Sequence, residues 1–348
     1  MGMSENRWQK GNFVFRLKSP LHIGYMPFKG SVVSPTRYYV PGRNFWGAVT
    51  KRVTEHLCEK NHREPKADDY KEIGEQVMEN FRFSYFYIHD GKTIYLPHYT
   101  DKGMKYGNIT KAEFEHRLIG CIVSTGIEDE TRTAKDKSLH EIEFINSRFR
   151  DENGNIKPVM IAGCIWIKKD AKIEVKRDKN KTYPFKKESN GIFIDDFNII
   201  SELILGGESK YGFGHVVFDS VDKVEFPIEI AHNNKKKSEG KDDDHEKYCI
   251  KVKINKDKPL IAHLRYDRKI KFKGDVELLT GRGYYDPLKL KNGEKDKNHT
   301  RPGEVISRPV YYFSPGTVLK ENGEKQEKSI ICRLNWDGTL ERCSNEPY

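Results

Sequence analysis

Hydrophobic and polar positions alternate early in the chain. "NFVFRLKSPLHIG" (Asn12 to Gly24) sets Phe13, Val14, Phe15 and Leu17 among polar neighbours and stops at Pro20, which predicts a strand. Pro41-Gly42 then marks a turn. Phe45, Ala48, Val49, Val53 and Leu57 follow at spacings of three to four residues, the period of an amphipathic helix. Arg63 to Tyr70 is polar and predicts a surface loop. "FRFSYFYIHDGKTIYLPHY" reads as two strands around Asp90-Gly91, a hairpin signal. "LHEIEFINSRFR" and "PVMIAGCIWIK" predict two more strands, with "DENGNIK" a tight loop between them. "DDFNIISELILGG" reads as a short helix ending at Gly206, and "GHVVFDSVDKVEF" as a strand.

"HNNKKKSEGKDDDHEK", His232 to Lys247, is made of blocks of opposite charge and reads as a linker or exposed hairpin. Beyond it, "YCIKVKI", "PLIAHLRY", "RPGEVISRPVYYFSPGTVLK" and "SIICRLNW" predict further strands. Strands and a few helices in both halves imply an α+β fold of two domains with antiparallel sheets. The expected limits are 12–226 for the first, 227–247 for the charged connection and 248–348 for a smaller second domain. No repeat of short period is present.

Composition narrows the class. The 348 residues suit two domains, and the 11% aromatic share is too high for a disordered chain although charged residues make up 33%. Lys and Arg outnumber Asp and Glu by 62 to 52, a net charge of +10, which suits a polyanionic partner. The six cysteines are widely spaced and form no C-x-x-C pair, which argues against a disulfide scaffold or zinc ribbon. His56, Cys58 and His62 in "HLCEKNH" are the best metal candidates and lack a fourth ligand nearby, so no cofactor is expected. "MGMSENRWQKGN" has no apolar core and no stretch is long enough to span a bilayer, so the expectation is a soluble protein in a reducing compartment, with no membrane partner.

The densest chemical signal is "LILGGESKYGFGHVVF", where four glycines, Lys210 and two aromatics lie between Gly206 and Gly214. A phosphate-binding P-loop needs Ser or Thr after its lysine and a strand-to-helix order. Tyr211 follows Lys210, and the predicted order is helix, loop, strand. A plain turn needs only one or two glycines. A third reading is a surface for a sugar-phosphate chain. Gly206, Gly207, Ser209, Gly212 and Gly214 would offer backbone N–H groups, Lys210 charge, and Tyr211 and Phe213 faces for unpaired bases. "KYGFGHVVF" also echoes the aromatic signature of RRM domains.

Three pieces together resemble the RAMP superfamily of CRISPR-associated proteins: "GGESKYGFG", "LKSPLHIG…YYVPGRNFWGAVTKRV" and "TGIEDETRTAKDKSLHEIEFINSRF…MIAGCIWI". The resemblance spans Asn12 to about Phe226. It implies two ferredoxin-like (RRM-like) domains, with the glycine-rich loop between helix and strand in the first. It departs from the family where Arg43 and Asn44 stand for the usual serines after Pro-Gly.

Within that superfamily the mid-chain position of the glycine loop, the second domain and the late "PGTVL" are similar to the subunits that cap the 5′ tag of the guide RNA. The resemblance therefore implies a prokaryotic, cytoplasmic type III effector subunit that binds crRNA without chemistry of its own. Its partners would be crRNA, a backbone RAMP protein, a large or nuclease subunit and, indirectly, target RNA. The alternatives are a backbone subunit that binds the spacer and a crRNA-processing endoribonuclease.

Candidate RNA contacts outside the loop are His22, Arg37, Tyr38, Arg43, Asn44 and Lys51, then Arg132 and Lys135 with Lys137, then Arg282 and Tyr284 with Tyr285 in "LLTGRGYYDP". His22 is also the best general-base candidate for the enzymatic alternative. Asp129 and Asp136 are the carboxylates a cleaving backbone subunit would use, whereas Tyr25 to Tyr39 holds no Asp or Glu.

Overall fold

The computed structural model describes residues 7–25, 32–136, 138–178, 181–231, 249–279, 310–320 and 329–343. The linker expected at His232 to Lys247, and the segment with Arg282, Tyr284 and Tyr285, lie outside the described residues.

A seven-stranded sheet organises the first half. Its order runs Glu202–Ile204, His215–Val221, Trp8–Leu17, Met160–Lys168, Phe86–His89, Tyr39–Val40, and Phe81–Phe83 also pairs with Met160–Lys168. Every pairing in it is antiparallel. The alternation legible at Phe13, Phe15 and Leu17 sends these side chains to one face, where helix α1 (Gly42–Lys60) supplies Phe45, Val49, Val53 and Leu57. Phe45 lies against Phe86 with ring centroids 3.8 Å apart, and Phe15 meets both. Helix α2 (Ala67–Asn80) adds Ile73 and Val77 to the same core.

Two expectations fail here. The polar segment from Arg63 does not stay a loop: at Ala67 it enters α2, whose start is fixed by Asp69 accepting the Lys66 N–H at 2.8 Å and pairing with Arg63 at 2.8 Å. The apolar positions that betray this helix, Ile73 and Val77, come only after its polar first turn. The second correction concerns the run before Gly206, which is the strand Glu202–Ile204 and not a helix. Leu203 and Leu205 are buried while Ile204 is 45% exposed, a period of two that a helix cannot satisfy. The glycine loop therefore joins two antiparallel strands, not a helix and a strand.

The opposite face of the sheet is also covered. The strand Phe86–His89 and the residue before it show how: Phe86 and Ile88 enter the helix-side core, and Tyr85 and Tyr87 enter a second core. Met160–Lys168 is buried on both faces, which explains its nearly continuous apolar run. The cover is a six-stranded sheet, in the order Lys251–Asn255, Ser329–Leu334, Leu340–Arg342, Leu264–Arg265, Tyr311–Phe313, Val276–Leu278. It contributes Val252, Leu264, Phe313 and Leu334 against Trp8, Tyr87 and Trp166.

Among the described residues this half holds strands and no helix, so they do not show the ferredoxin-like arrangement expected there. No helix among the described residues is long and apolar enough to cross a membrane.

Candidate nucleic-acid interface

The glycine loop sits at one end of the central sheet, on top of the segment that holds His22. The Gly207 N–H donates to the His22 carbonyl at 2.9 Å, and the Gly214 N–H to the Pro20 carbonyl at 2.7 Å. Two sequence motifs almost two hundred residues apart thus form one surface. Two of the glycines are needed for this closeness. A Cβ on Gly206 (φ +77°) would lie 2.1 Å from the His22 carbonyl oxygen, and one on Gly214 (φ +83°) 2.0 Å from that of Leu205. These glycines serve chain packing, which leaves the middle of the loop to face solvent.

That middle is unusual. Glu208 adopts φ 56° and ψ 22°, the left-handed region, and Ser209–Tyr211 form a single 3-10 turn. A left-handed residue followed by right-handed ones turns successive N–H groups toward one point, a concavity that suits an anion. The amides of Tyr211, Gly212 and Phe213 are consumed inside the loop, by Glu208 and Ser209 carbonyls. Those of Glu208, Ser209 and Lys210 make no hydrogen bond among the described residues. Lys210 is exposed beside them, and the Tyr211 ring is 76% exposed. Phe213 differs: it is buried and meets Phe144 edge-on at 5.4 Å, so it anchors the loop and offers no face to a base.

His22 lies beneath, only 4% exposed. Its Nδ1–H donates to the Glu143 carbonyl at 2.7 Å, and Ser34 Oγ lies 3.4 Å from Nε2. Tyr38 is half-buried, and its hydroxyl donates to Glu115 at 2.7 Å. Asn44 lies in the first turn of α1, its N–H on the Pro41 carbonyl, and Lys51 is exposed with Glu55 3.8 Å away. The α1 N-terminus, a phosphate site in the expectation, is covered by the turn at residues 335–338. The Arg43 N–H donates to the Asp337 carbonyl at 3.1 Å, and its guanidinium lies over Trp336. Arg132 and Lys135 are exposed at the tip of a projecting hairpin, among Glu128, Asp129, Glu130 and Asp136.

Arg37 has a different position altogether. It is largely, not fully, covered at the seam of the two sheets, paired with Glu277 at 2.8 Å and donating to Tyr39 Oη at 2.7 Å. His263, fully buried, completes the group: Glu277 Oε1 lies 2.5 Å from its Nε2 and Tyr85 Oη 2.6 Å from its Nδ1. Burial lowers the His263 pKa to about 4, with the Arg37 charge acting in the same direction. A neutral ring accepts the Tyr85 O–H at Nδ1 and donates Nε2–H to Glu277. Burial alone would raise Glu277, but the hydrogen bonds from His263 and Arg37 outweigh it and hold the carboxylate well below its usual range. The sequence reading missed this network, because Arg37 and Glu277 are 240 residues apart and nothing local links them.

The metal candidates do not assemble. His56 stacks on Phe197 at 4.0 Å and Cys58 is fully buried, and no group of three potential ligands occurs among the described residues.

No family model matches the sequence, and no curated protein matches it either. Among solved structures, the chain is similar to a chain of the type III-B Cmr-beta complex bound to cognate target RNA, with a TM-score of 0.44, 10% identity, and coverage of 90% of this chain and 86% of that one. A chain of the same complex with target RNA and AMPPnP gives 0.43 at 10% identity, covering 90% and 86%. A chain of the apo complex gives 0.34 at 10% identity, covering 62% of this chain and 98% of that one.

Proposed function

We propose that this protein is a subunit of a CRISPR effector complex that binds guide RNA at the glycine loop, capping the repeat-derived 5′ tag, and that performs no chemistry of its own. The observation that carries the reading is the concavity of free amides at Glu208, Ser209 and Lys210, with the exposed Tyr211 ring beside it. Amides and Lys210 suit a phosphate, and Tyr211 suits an unpaired base. The non-catalytic part of the proposal is supported by His22, which is buried and hydrogen-bonded to a backbone carbonyl. A general base must reach the 2′-OH it deprotonates, and this ring lies under the loop.

The test is RNA binding by the full chain with Lys210→Ala and Tyr211→Ala together, followed by fluorescence anisotropy on a single-stranded oligonucleotide carrying the repeat-derived tag. We expect at least a tenfold loss of affinity. We also expect a shallower salt dependence, by about 0.7 in log–log slope for each lost phosphate contact. Unchanged affinity at an unchanged melting temperature would remove the loop from the site. Equal affinity for tag and spacer oligonucleotides would favour a backbone subunit over a cap.

A further inference from the structure

Twelve large apolar residues are exposed among the described residues, and six of them, Val32, Val33, Ile122, Val123, Ile127 and Leu139, belong to one projecting element. It is a three-stranded sheet in the order Val33–Ser34, His140–Ile145, Ile119–Ser124, together with its tip. Scattered exposed apolar residues need no explanation, but a concentration of this kind marks an interaction surface.

The strand Ile119–Ser124 is the sheet's outer edge. Its open bonding groups can be identified. The Glu141 N–H donates to the Val32 carbonyl and the Ile145 N–H to the Leu21 carbonyl, while the Glu143 carbonyl accepts from His22. The odd-numbered residues of His140–Ile145 therefore bond away from the outer strand. By register Cys121 faces Glu143 and Val123 faces Glu141, so the N–H and C=O groups of Cys121 and Val123 point outward. Gly120 and Ile122 bond inward to Phe144 and Ile142.

Charge selects the kind of partner. In the sequence of this sheet and tip the carboxylates are Glu128, Asp129, Glu130, Asp136, Glu141 and Glu143, against Arg132, Lys135 and Lys137. In a chain of net charge +10 this element is locally acidic, which disfavours nucleic acid. Cys121 and Val123 share a face with Glu141 and Glu143, and Ile122 lies on the other face. An edge with no strand beside it among the described residues is a template for another strand.

The geometry points to a protein partner: an extended segment that adds to Ile119–Ser124 as a fourth strand, with basic side chains toward Glu141 and apolar ones beside Ile122. The inner strand of this sheet packs on the glycine-loop region through Phe144 and Glu143, but the outer edge at Cys121 and Val123 takes no part in those contacts, and a partner there does not require the RNA reading.

The experiment is residue-resolved amide exchange on the full chain with a synthetic decapeptide of alternating valine and lysine. In the free protein the Cys121 and Val123 amides exchange freely and that of Ile122 is protected. The peptide is expected to slow Cys121 and Val123 at least tenfold. A valine–glutamate peptide and a twenty-nucleotide oligouridine are expected to leave both unchanged. Val123→Pro removes one outward donor without touching the internal ladder, so it should abolish peptide binding at an unchanged melting temperature. Val123→Lys is a second variant that should weaken it by charge and by loss of apolar contact. Absent peptide protection, protection by oligouridine instead, or undiminished binding by Val123→Pro would each overturn the proposal.

Discussion

The seam between the two sheets and the glycine loop both centre on a buried histidine, yet they spend their polar groups in opposite ways. At the seam, His263, Glu277, Arg37, Tyr39 and Tyr85 satisfy one another. At the loop, His22 and the outer glycines tie the chain down while three consecutive amides make no hydrogen bond among the described residues. A satisfied buried network holds two halves in one geometry. An exposed set of unmet donors stabilises little and is free to meet a ligand. The contrast predicts that seam substitutions act on stability and loop-tip substitutions on binding.

The largest effect should come from breaking the seam. Glu277→Gln leaves the Arg37 charge largely covered and without its counter-ion, and a loss of roughly 3–5 kcal/mol in denaturant unfolding is expected. RNA affinity under strongly folding conditions should be unchanged. A loss below about 1 kcal/mol would show the seam to be wetter than its geometry implies.

Acid should act on the same network. His263 has a folded pKa of about 4, below its unfolded value, so the unfolded chain takes up its proton first as pH falls. Its stabilising contribution is complete above about pH 6.5 and declines toward pH 4, by on the order of 3 kcal/mol. Glu277, also depressed on folding, adds a loss in the same direction below the ordinary carboxylate range. Unfolding curves from pH 7 to 4 test this, and His263→Gln should flatten the upper part of the profile.

Gly206→Ala probes the join between loop and His22. The added Cβ meets a carbonyl at 2.1 Å in a left-handed backbone, so a loss of about 1–3 kcal/mol and a shifted loop are expected. RNA affinity should fall with it, which would link the buried part of the loop to the exposed part. Smallest of all, Tyr211→Ala should change stability by less than about 0.5 kcal/mol while still weakening RNA binding. Stability loss comparable to that of Phe213→Ala, which empties a contact with Phe144, would mean that Tyr211 is structural.

Much of the frame was legible because burial leaves a local record. Phe13, Phe15 and Leu17 announced a strand, and Phe45, Val49, Val53 and Leu57 a helix, through their spacing alone. The glycine loop was legible as chemistry, since few uses require four glycines with lysine and tyrosine. The error before Gly206 arose because a short apolar run fits either period until its neighbours decide which side chains are covered.

The sequence by itself determined the elements, the basic balance and the candidate loop, because these follow from spacing and residue type. Only the tertiary structure decided which glycines pack and which amides are open. Only it showed that Arg37 belongs to a buried seam and that Cys121 and Val123 edge an open sheet. Each of those properties is set by a partner far away in the chain, which local pattern does not encode.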